Sequence, residues 1–123
     1  IRDFLENYYC PNLRVKNRHS TTPVGPYIID KALVPAPNNL VLKTWVNGEL
    51  RQEGTTSDMI FDVPFLIEYI SSFMTLQPGD MIATGTPEGL SDVVPGDEVV
   101  VEIEGIGKLC NHIISESDFF KTV

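Results

Sequence analysis

Apolar and polar positions broadly alternate along residues 40–46, as they do in a half-buried β-strand. Asn47 and Gly48 follow, and this pair tolerates the positive φ angles of a two-residue hairpin turn. We therefore predict that residues 49–53 return as a second strand. Residues 98–104 and 108–115 form a second predicted hairpin, because two β-prone stretches flank a Gly-Ile-Gly segment.

One main helix is predicted after Asp62, whose side chain can cap a helix that carries Pro64 in its first turn. Apolar side chains then recur on one face at helical spacing. They are Val63, Leu66, Ile67, Ile70 and Phe73. Short strands are also predicted at residues 27–30 and 81–84, and turns at residues 35–39, 77–80 and 95–97.

These elements indicate one domain over residues 1–123, with a mixed, β-rich α+β fold of the roll or sandwich type and one main helix. The chain does not begin with Met, and its first nine residues are amphipathic enough for one or two helical turns. We therefore expect the domain to be incomplete in this chain, with an N-terminal part missing.

The composition excludes several classes of partner. The formal net charge is -8, and nine Lys and Arg residues are too few for a nucleic-acid-binding surface. No apolar run approaches the roughly 20 residues that span a bilayer, and no signal-peptide pattern opens the chain. We expect a cytoplasmic protein that binds neither nucleic acid nor membranes. Cys10 and Cys110 are predicted to be free thiols, because they are too far apart in sequence for zinc-site spacing.

The first candidate for chemistry is Lys16, which lies between Arg14 and Arg18 in a polar, basic loop. Like charges on either side favour the neutral form of an amine, and such a Lys can transfer protons or stabilise an enolate oxygen. The two Arg residues suit paired hydrogen bonds to carboxylates. The alternative interpretation is a solvated basic loop that only attracts anions.

The second candidate is the loop of residues 84–89, Thr-Gly-Thr-Pro-Glu-Gly. Small residues at the end of a strand let backbone N–H groups and a hydroxyl approach an anion closely, which makes Gly85 and Thr86 candidate ligands of a carboxylate. A plain structural turn is the alternative. His19 has no Ser or Cys partner at a recognisable spacing, so a polar loop position is favoured over catalysis.

Four stretches resemble, in this order along the chain, the fumarylacetoacetate hydrolase family. They are residues 16–26, 45–52, 56–62 and 73–89. The last, Phe-Met-Thr-Leu-Gln-Pro-Gly-Asp-Met-Ile-Ala-Thr-Gly-Thr-Pro-Glu-Gly, is similar to a signature of that family. The resemblance implies that Lys16 is the active-site lysine, that Gly85 and Thr86 bind substrate, and that Tyr9 contacts it. Arg14 and Arg18 would bind a distal carboxylate.

The resemblance also implies a divalent cation, Mg²⁺ with Mn²⁺ or Ca²⁺ as alternatives. Members of the family hold it by a Glu-x-Glu pair and an Asp that precedes the motif matched here by Arg2-Asp3. These ligands would therefore lie upstream of Ile1, and none is expected within the chain. Glu102-Ile-Glu104 has the spacing, but it lies in the terminal predicted hairpin.

The opening residues narrow the resemblance to members that decarboxylate 5-oxopent-3-ene-1,2,5-tricarboxylate and isomerise 2-hydroxyhepta-2,4-diene-1,7-dioate in the catabolism of 4-hydroxyphenylacetate. Two alternatives stay open. One is a C–C hydrolase of acylpyruvates or fumarylpyruvate in the same family, although Leu5 stands where those members carry Gln. The other is a non-catalytic domain that keeps the fold. The implied partners are a small 2-oxo or 2-hydroxy di- or tricarboxylate and the missing N-terminal part, with oligomerisation left open.

Overall fold

The computed structural model of the chain describes residues 18–122. This part of the chain contains four β-strands, two α-helices and two single 3-10 turns at Lys31–Leu33 and Thr56–Asp58. The strands and helices are β1 (Val41–Val46), β2 (Glu49–Thr55), α1 (Val63–Ser71), β3 (Glu98–Ile103), β4 (Gly107–His112) and α2 (Glu116–Thr122).

The four strands form one sheet in the order β2-β1-β3-β4, and every neighbouring pair is antiparallel. Asn47 and Gly48 have φ angles of 52° and 79°, so the turn between β1 and β2 is the predicted hairpin turn. The second predicted hairpin joins β3 and β4. The two hairpins are joined by the pairing of β1 with β3 at the centre of the sheet. This pairing runs from Leu42 opposite Ile103 to Val46 opposite Val99.

A polar cluster fixes the β1–β2 turn to the start of β3. The Asn47 side-chain amide donates to the Asp97 carboxylate at 2.8 Å, and the Glu98 N–H donates to the Asn47 side-chain oxygen at 2.9 Å. The Val94 N–H also donates to Asp97, at 2.8 Å. The hydrogen bonds from Val94 and Asn47 lower the pKa of Asp97. Asp97 therefore serves as the turn residue that its Pro-Gly-Asp sequence predicts.

The two faces of the sheet differ in chemistry. One carries a row of alternating charges in which Glu53, Lys43, Glu102 and Lys108 lie opposite one another from β2 to β4. We call it the charged face. The ammonium of Lys43 lies 3.1 Å from Glu53, and that of Lys108 lies 3.4 Å from Glu102. Because side chains alternate along a strand, the intervening residues point the other way. They are Thr44, Val46, Val99, Val101 and Leu109, and we call their side the cavity face.

Helix α1 begins as its sequence predicts. The Asp62 carboxylate accepts a hydrogen bond from the Phe65 N–H at 2.9 Å, and Pro64 lies in the first turn. Helix α2 is a second helix that the sequence analysis did not predict. The Ser115 hydroxyl caps it by accepting from the Asp118 N–H at 3.1 Å. A Ser followed three residues later by an acidic residue is the local signal that announces this helix.

Two predicted strands are wrong. Residues 27–30 and 81–84 are irregular in the structure, and neither pairs with another strand. A β-prone composition produces a strand only where a neighbour satisfies its backbone groups. Tyr27 instead places its hydroxyl against the backbone of Gly107 at the β3–β4 turn, and Ile28 is 92% exposed. The predicted turns at residues 35–39, 77–80 and 95–97 are present.

The β-rich α+β fold is thus confirmed, and its apolar side is open. Among the described residues, Val46 is the one buried hydrophobic residue, and it is still 7% exposed. No residue of α1 is buried, and the face predicted to be apolar is only half-covered. Between residues 18 and 122, no helix is long and apolar enough to cross a membrane.

Candidate active site

A large open cavity lies against the cavity face of the sheet. Its volume is about 1190 Å³, and its walls include Val99 and Val101 of β3, residues 18–23, residues 90–93 and helix α2. Small-molecule sites are usually ~300–1,000 Å³, so this space exceeds what a small acid fills. Arg18 and Gln52 are among the polar residues of a wall that also contains Glu116, and apolar side chains of β1, β3 and β4 form its floor. The cavity is the concave site where we expect a ligand.

Gln52 connects this cavity to the loop of residues 84–89. Its side-chain nitrogen donates to the Thr86 hydroxyl at 3.0 Å and to the Pro87 carbonyl at 2.8 Å. A carbonyl accepts and cannot donate, which fixes the orientation of the Gln52 amide. Gln52 therefore holds the second candidate loop against β2 by two hydrogen bonds that span more than thirty residues of sequence.

Two glycines allow the same loop to lie flat on β2. A Cβ at Gly54 would lie 2.7 Å from the Pro87 ring, and a Cβ at Gly89 would lie 2.5 Å from the Arg51 carbonyl oxygen. Gly89 also has a φ of +93°, which side-chain-bearing residues rarely adopt. The close approach of loop and strand thus depends on missing side chains on both partners.

Thr86 can donate its hydroxyl hydrogen to a ligand. A hydroxyl has one hydrogen and two lone pairs, and Gln52 already uses one lone pair of Thr86. The hydrogen is therefore directed away from Gln52. Gly85 precedes it with a φ of +102°, and a Cβ there would meet nothing within 4 Å. Neither residue lines the cavity, and Thr86 is linked to it by the hydrogen bond from Gln52, which does.

Arg18 lies at the cavity wall beside α2. Its guanidinium is 3.7 Å from the Glu116 carboxylate, and its side chain is 36% exposed. The Thr21 hydroxyl donates to the Arg18 carbonyl at 2.9 Å. The ring of neighbouring His19 stacks on Phe119, with 5.9 Å between centroids. These contacts join the described start of the chain to its last helix.

The predicted site residues are placed separately by the structure. Arg18 lines the cavity, and Thr86, with Gly85 before it, is linked to the cavity by the hydrogen bond from Gln52; their roles stay predictions. Lys16, Arg14 and Tyr9 lie outside the described residues. Gln52 was missed, and the signal that could have found it is a polar residue at a cavity-face position within one of the family-like stretches.

Within residues 18–122, the structure assembles no group of three carboxylates that could share a metal ion. Within residues 18–122, the one group of three ionisable side chains close enough to share a metal is Glu98, Cys110 and His112, and it contains a thiol rather than three carboxylates. Mg²⁺ takes oxygen ligands. Glu102 of the Glu-x-Glu sequence is paired with Lys108. The structure thus gives the Glu-x-Glu sequence no such role.

Comparison with known proteins supports the resemblance seen in the sequence. The C-terminal domain profile of fumarylacetoacetate (FAA) hydrolase matches residues 1–114. The chain is 72% identical over 116 residues to the 4-hydroxyphenylacetate degradation bifunctional isomerase/decarboxylase of Salmonella dublin. That match covers 94% of this chain and 27% of the relative, so the chain spans little more than a quarter of the relative's length.

Two solved structures share the fold. The 2-hydroxyhepta-2,4-diene-1,7-dioate isomerase from Mycobacterium marinum has a TM-score of 0.75 and 44% identity, covering 84% of this chain and 40% of that one. The maleylpyruvate hydrolase from Sphingobium sp. SYK-6, in complex with manganese(II) and pyruvate, also has a TM-score of 0.75 and 44% identity, covering 77% and 36%. With the sequence profile matched over most of its length, the chain belongs to the fumarylacetoacetate hydrolase family.

Proposed function

We propose that this chain is the C-terminal part of a divalent-metal-dependent isomerase/decarboxylase of 4-hydroxyphenylacetate catabolism. The observation that carries this proposal is the 72% identity over 94% of the chain to such an enzyme. The proposed reactions are decarboxylation of 5-oxopent-3-ene-1,2,5-tricarboxylate and isomerisation of the resulting 2-hydroxyhepta-2,4-diene-1,7-dioate to its 2-oxo form. The proposed setting is the cytoplasm.

The arrangement around the cavity supports a substrate with carboxylates at both ends. Gly85 and Thr86 bind one carboxylate through a backbone N–H and the hydroxyl that Gln52 orients. Arg18, on the cavity wall, binds the distal carboxylate together with Arg14, since a guanidinium suits paired hydrogen bonds. Gln52 is a positioning residue in this proposal, because it acts through Thr86.

Lys16 acts on the reacting atoms in this proposal. Loss of CO₂ leaves the electron pair of the broken C–C bond in a dienolate conjugated with the 2-oxo group. The Lys16 ammonium stabilises the negative oxygen and protonates it, which gives the dienol and leaves Lys16 as a neutral amine. In the isomerisation this amine takes the proton of the 2-hydroxyl group, and the ammonium so formed returns a proton to carbon, which leaves the 2-oxo product and a neutral Lys16. The flanking arginines suit this exchange, because like charges make an ammonium release its proton more readily.

The divalent cation is proposed to be held by residues beyond this chain, as Mg²⁺ or as Mn²⁺ or Ca²⁺. The manganese(II) in the Sphingobium hydrolase complex supports a metal in this family. Within residues 18–122, no three carboxylates lie close enough together to share a metal ion.

The exposed apolar residues support packing against the remainder of the longer enzyme. Four aromatic rings follow one another along α1, with successive centroids 4.7, 6.1 and 5.5 Å apart. They belong to Phe61, Phe65, Tyr69 and Phe73. Each is more than two-fifths exposed. An apolar row of this kind is typical of a surface that another part of the protein covers. We propose that the N-terminal part covers it.

A C–C hydrolase is the second candidate, and the Sphingobium maleylpyruvate hydrolase favours it with the same TM-score as the isomerase. The two activities are separable by substrate. The intact protein with Mg²⁺ should remove the ultraviolet absorbance of the dienol and release CO₂ from the tricarboxylate, and it should leave acylpyruvates intact. Hydrolysis of acylpyruvates without dienol consumption would instead establish the hydrolase.

The role of Lys16 is tested in the same assay. Lys16→Ala should lower the rate of dienol loss by about 10²–10³-fold, the usual effect of removing one stabiliser of a developing oxyanion. Lys31→Ala is the matched control, because Lys31 lies in an exposed 3-10 turn. A Lys16→Ala rate within twofold of the wild type would contradict the mechanism.

A further inference from the structure

Three potential metal ligands meet on the charged face where β3 pairs with β4. Glu98 lies directly opposite His112, and Cys110 lies opposite Val100. Residues two apart on a strand share a face, so Cys110 and His112 point to the same side as Glu98. The sheet register therefore brings Glu98 next to Cys110 and His112, which are 12 and 14 residues further along the sequence.

The ligand atoms are already close together. The Cys110 sulfur, a His112 ring nitrogen and a Glu98 carboxylate oxygen all lie within 4.8 Å of one another. The His112 Nε2 is 3.5 Å from the Glu98 carboxylate, and the Cys110 thiol hydrogen-bonds to the same residue. Three different donor types thus converge on one point above the sheet.

We propose that Glu98, Cys110 and His112 bind a zinc-class divalent cation. Thiolate, imidazole and carboxylate are each ligands that Zn²⁺ accepts. Mg²⁺ and Ca²⁺ prefer oxygen ligands throughout, so this set selects against them. The site does not rest on the proposed enzyme activity, because it follows from the sheet register alone.

The side chains can reach a tetrahedral arrangement by small rotations. Tetrahedral zinc with bonds of about 2.0–2.3 Å requires ligand atoms roughly 3.3–3.8 Å apart. The Glu98 and His112 side chains are 44% and 70% exposed, so packing does not hold them in place. Water supplies the fourth ligand in a site with three protein ligands.

Metal binding at this site is coupled to loss of the Cys110 thiol proton. A thiol ligates a metal as its thiolate, so a cation that binds there displaces this proton. It then links β3 to β4, the edge strand of the sheet, and stabilises the folded state by mass action.

Cobalt(II) is the probe that separates this site from carboxylate sites in the intact protein. A thiolate bound to Co²⁺ produces a charge-transfer band in the near ultraviolet, which an all-oxygen site cannot produce. In excess Mg²⁺, the band of the wild type should grow with added Co²⁺ until one Co²⁺ is bound per protein. Added Zn²⁺ should displace the Co²⁺ and remove the band. Cys110→Ser should abolish the band, and His112→Gln and Glu98→Gln should weaken cobalt binding by about tenfold or more.

The chain provides matched controls, because it contains two Cys and two His residues. Cys10→Ser and His19→Gln should leave the band and the cobalt affinity unchanged. In the wild type, Zn²⁺ should also slow the reaction of Cys110 with a thiol reagent, as measured by peptide mapping. No near-ultraviolet band in the wild type, or an undiminished band in Cys110→Ser, would overturn the site. Unslowed Cys110 labelling in saturating Zn²⁺ would overturn it without any variant.

Discussion

The two faces of the sheet are built by different kinds of contact. On the charged face, Lys43 and Lys108 each pair with a residue of an adjacent strand, and the Lys108 ammonium lies 5.3 Å from the centre of the Trp45 ring. On the cavity face, Gln52 binds a loop more than thirty residues away. The charged face is thus complete within the sheet, whereas the cavity face depends on distant segments and opens on a space of about 1190 Å³.

This difference indicates where a substitution should matter. Ion pairs between exposed side chains contribute little to the stability of the fold, because water stabilises the separated charges almost as well as the ion pair does. The loop of residues 84–89 is held by its close approach to the β2 backbone and by the Gln52 amide. Water cannot replace the geometry of these contacts. We therefore expect substitutions at the cavity face to affect folding and activity, and substitutions on the charged face to have small effects.

The largest expected effect is that of Gly89→Ala. The new methyl group would overlap the Arg51 carbonyl, and the φ of +93° would strain the backbone. We expect the free energy of unfolding to fall by about 2–4 kcal/mol in chemical denaturation of the intact protein.

Gly79→Ala is the matched control for that experiment. Gly79 has a φ of +101°, and a Cβ there meets nothing within 4 Å, so it shares the backbone strain without the overlap. Gly79→Ala should lower the free energy of unfolding by about 1–2 kcal/mol. Equal losses for the two variants would show that the contact between loop and β2 adds nothing to stability.

The next largest effect concerns Gln52→Leu. Leucine keeps the approximate volume but loses the hydrogen bonds to Thr86 and Pro87. We expect kcat/KM for the dienol to fall by about 10- to 100-fold, because small misplacements of a substrate-binding group are costly. If Gln52 positions Thr86, then Thr86→Val should lower kcat/KM by a similar factor. The double variant Gln52→Leu/Thr86→Val should lower kcat/KM little further than either single variant.

Gln77→Leu is the control for Gln52→Leu, since Gln77 is the other glutamine of residues 18–122 and lies in a turn. It should leave kcat/KM within twofold of the wild type. If Gln52→Leu and Gln77→Leu have the same activity, the loop does not depend on Gln52.

Local signals were sufficient to predict the two hairpins. Asn47-Gly48 determines its own turn geometry. The turn sets the pairing of Trp45 with Leu50, but the register then shifts by one residue, so that Thr44 pairs with Gln52. The same local approach predicted strands at residues 27–30 and 81–84, which are irregular because no neighbouring strand pairs with them. Helix α2 was missed although Ser115 and Asp118 form a recognisable cap.

The sites were harder to predict than the hairpins, because they are assembled across the sheet. Gly85 and Thr86 were proposed from composition and from the family resemblance, but their link to Gln52 depends on how a distant loop folds back on β2. Cysteine spacing along the sequence predicted no metal site. Cys110 and His112 share one face of β4, and only the pairing of β3 with β4 places Glu98 beside them.

The smallest expected effect concerns the ion pair of Lys43 and Glu53 on the charged face. Their charged atoms are 3.1 Å apart and both side chains are more than one-third exposed. A double-mutant cycle with Lys43→Ala and Glu53→Ala should give a coupling energy of about 0.2–1 kcal/mol. The cycle of Lys108→Ala and Glu102→Ala should give a similar value, and 1 M salt should reduce both. The distinction between the two faces would be wrong if either coupling energy equalled the free energy of unfolding lost in Gly89→Ala and did not fall in 1 M salt. The charged row would then stabilise the fold as strongly as the loop contacts do.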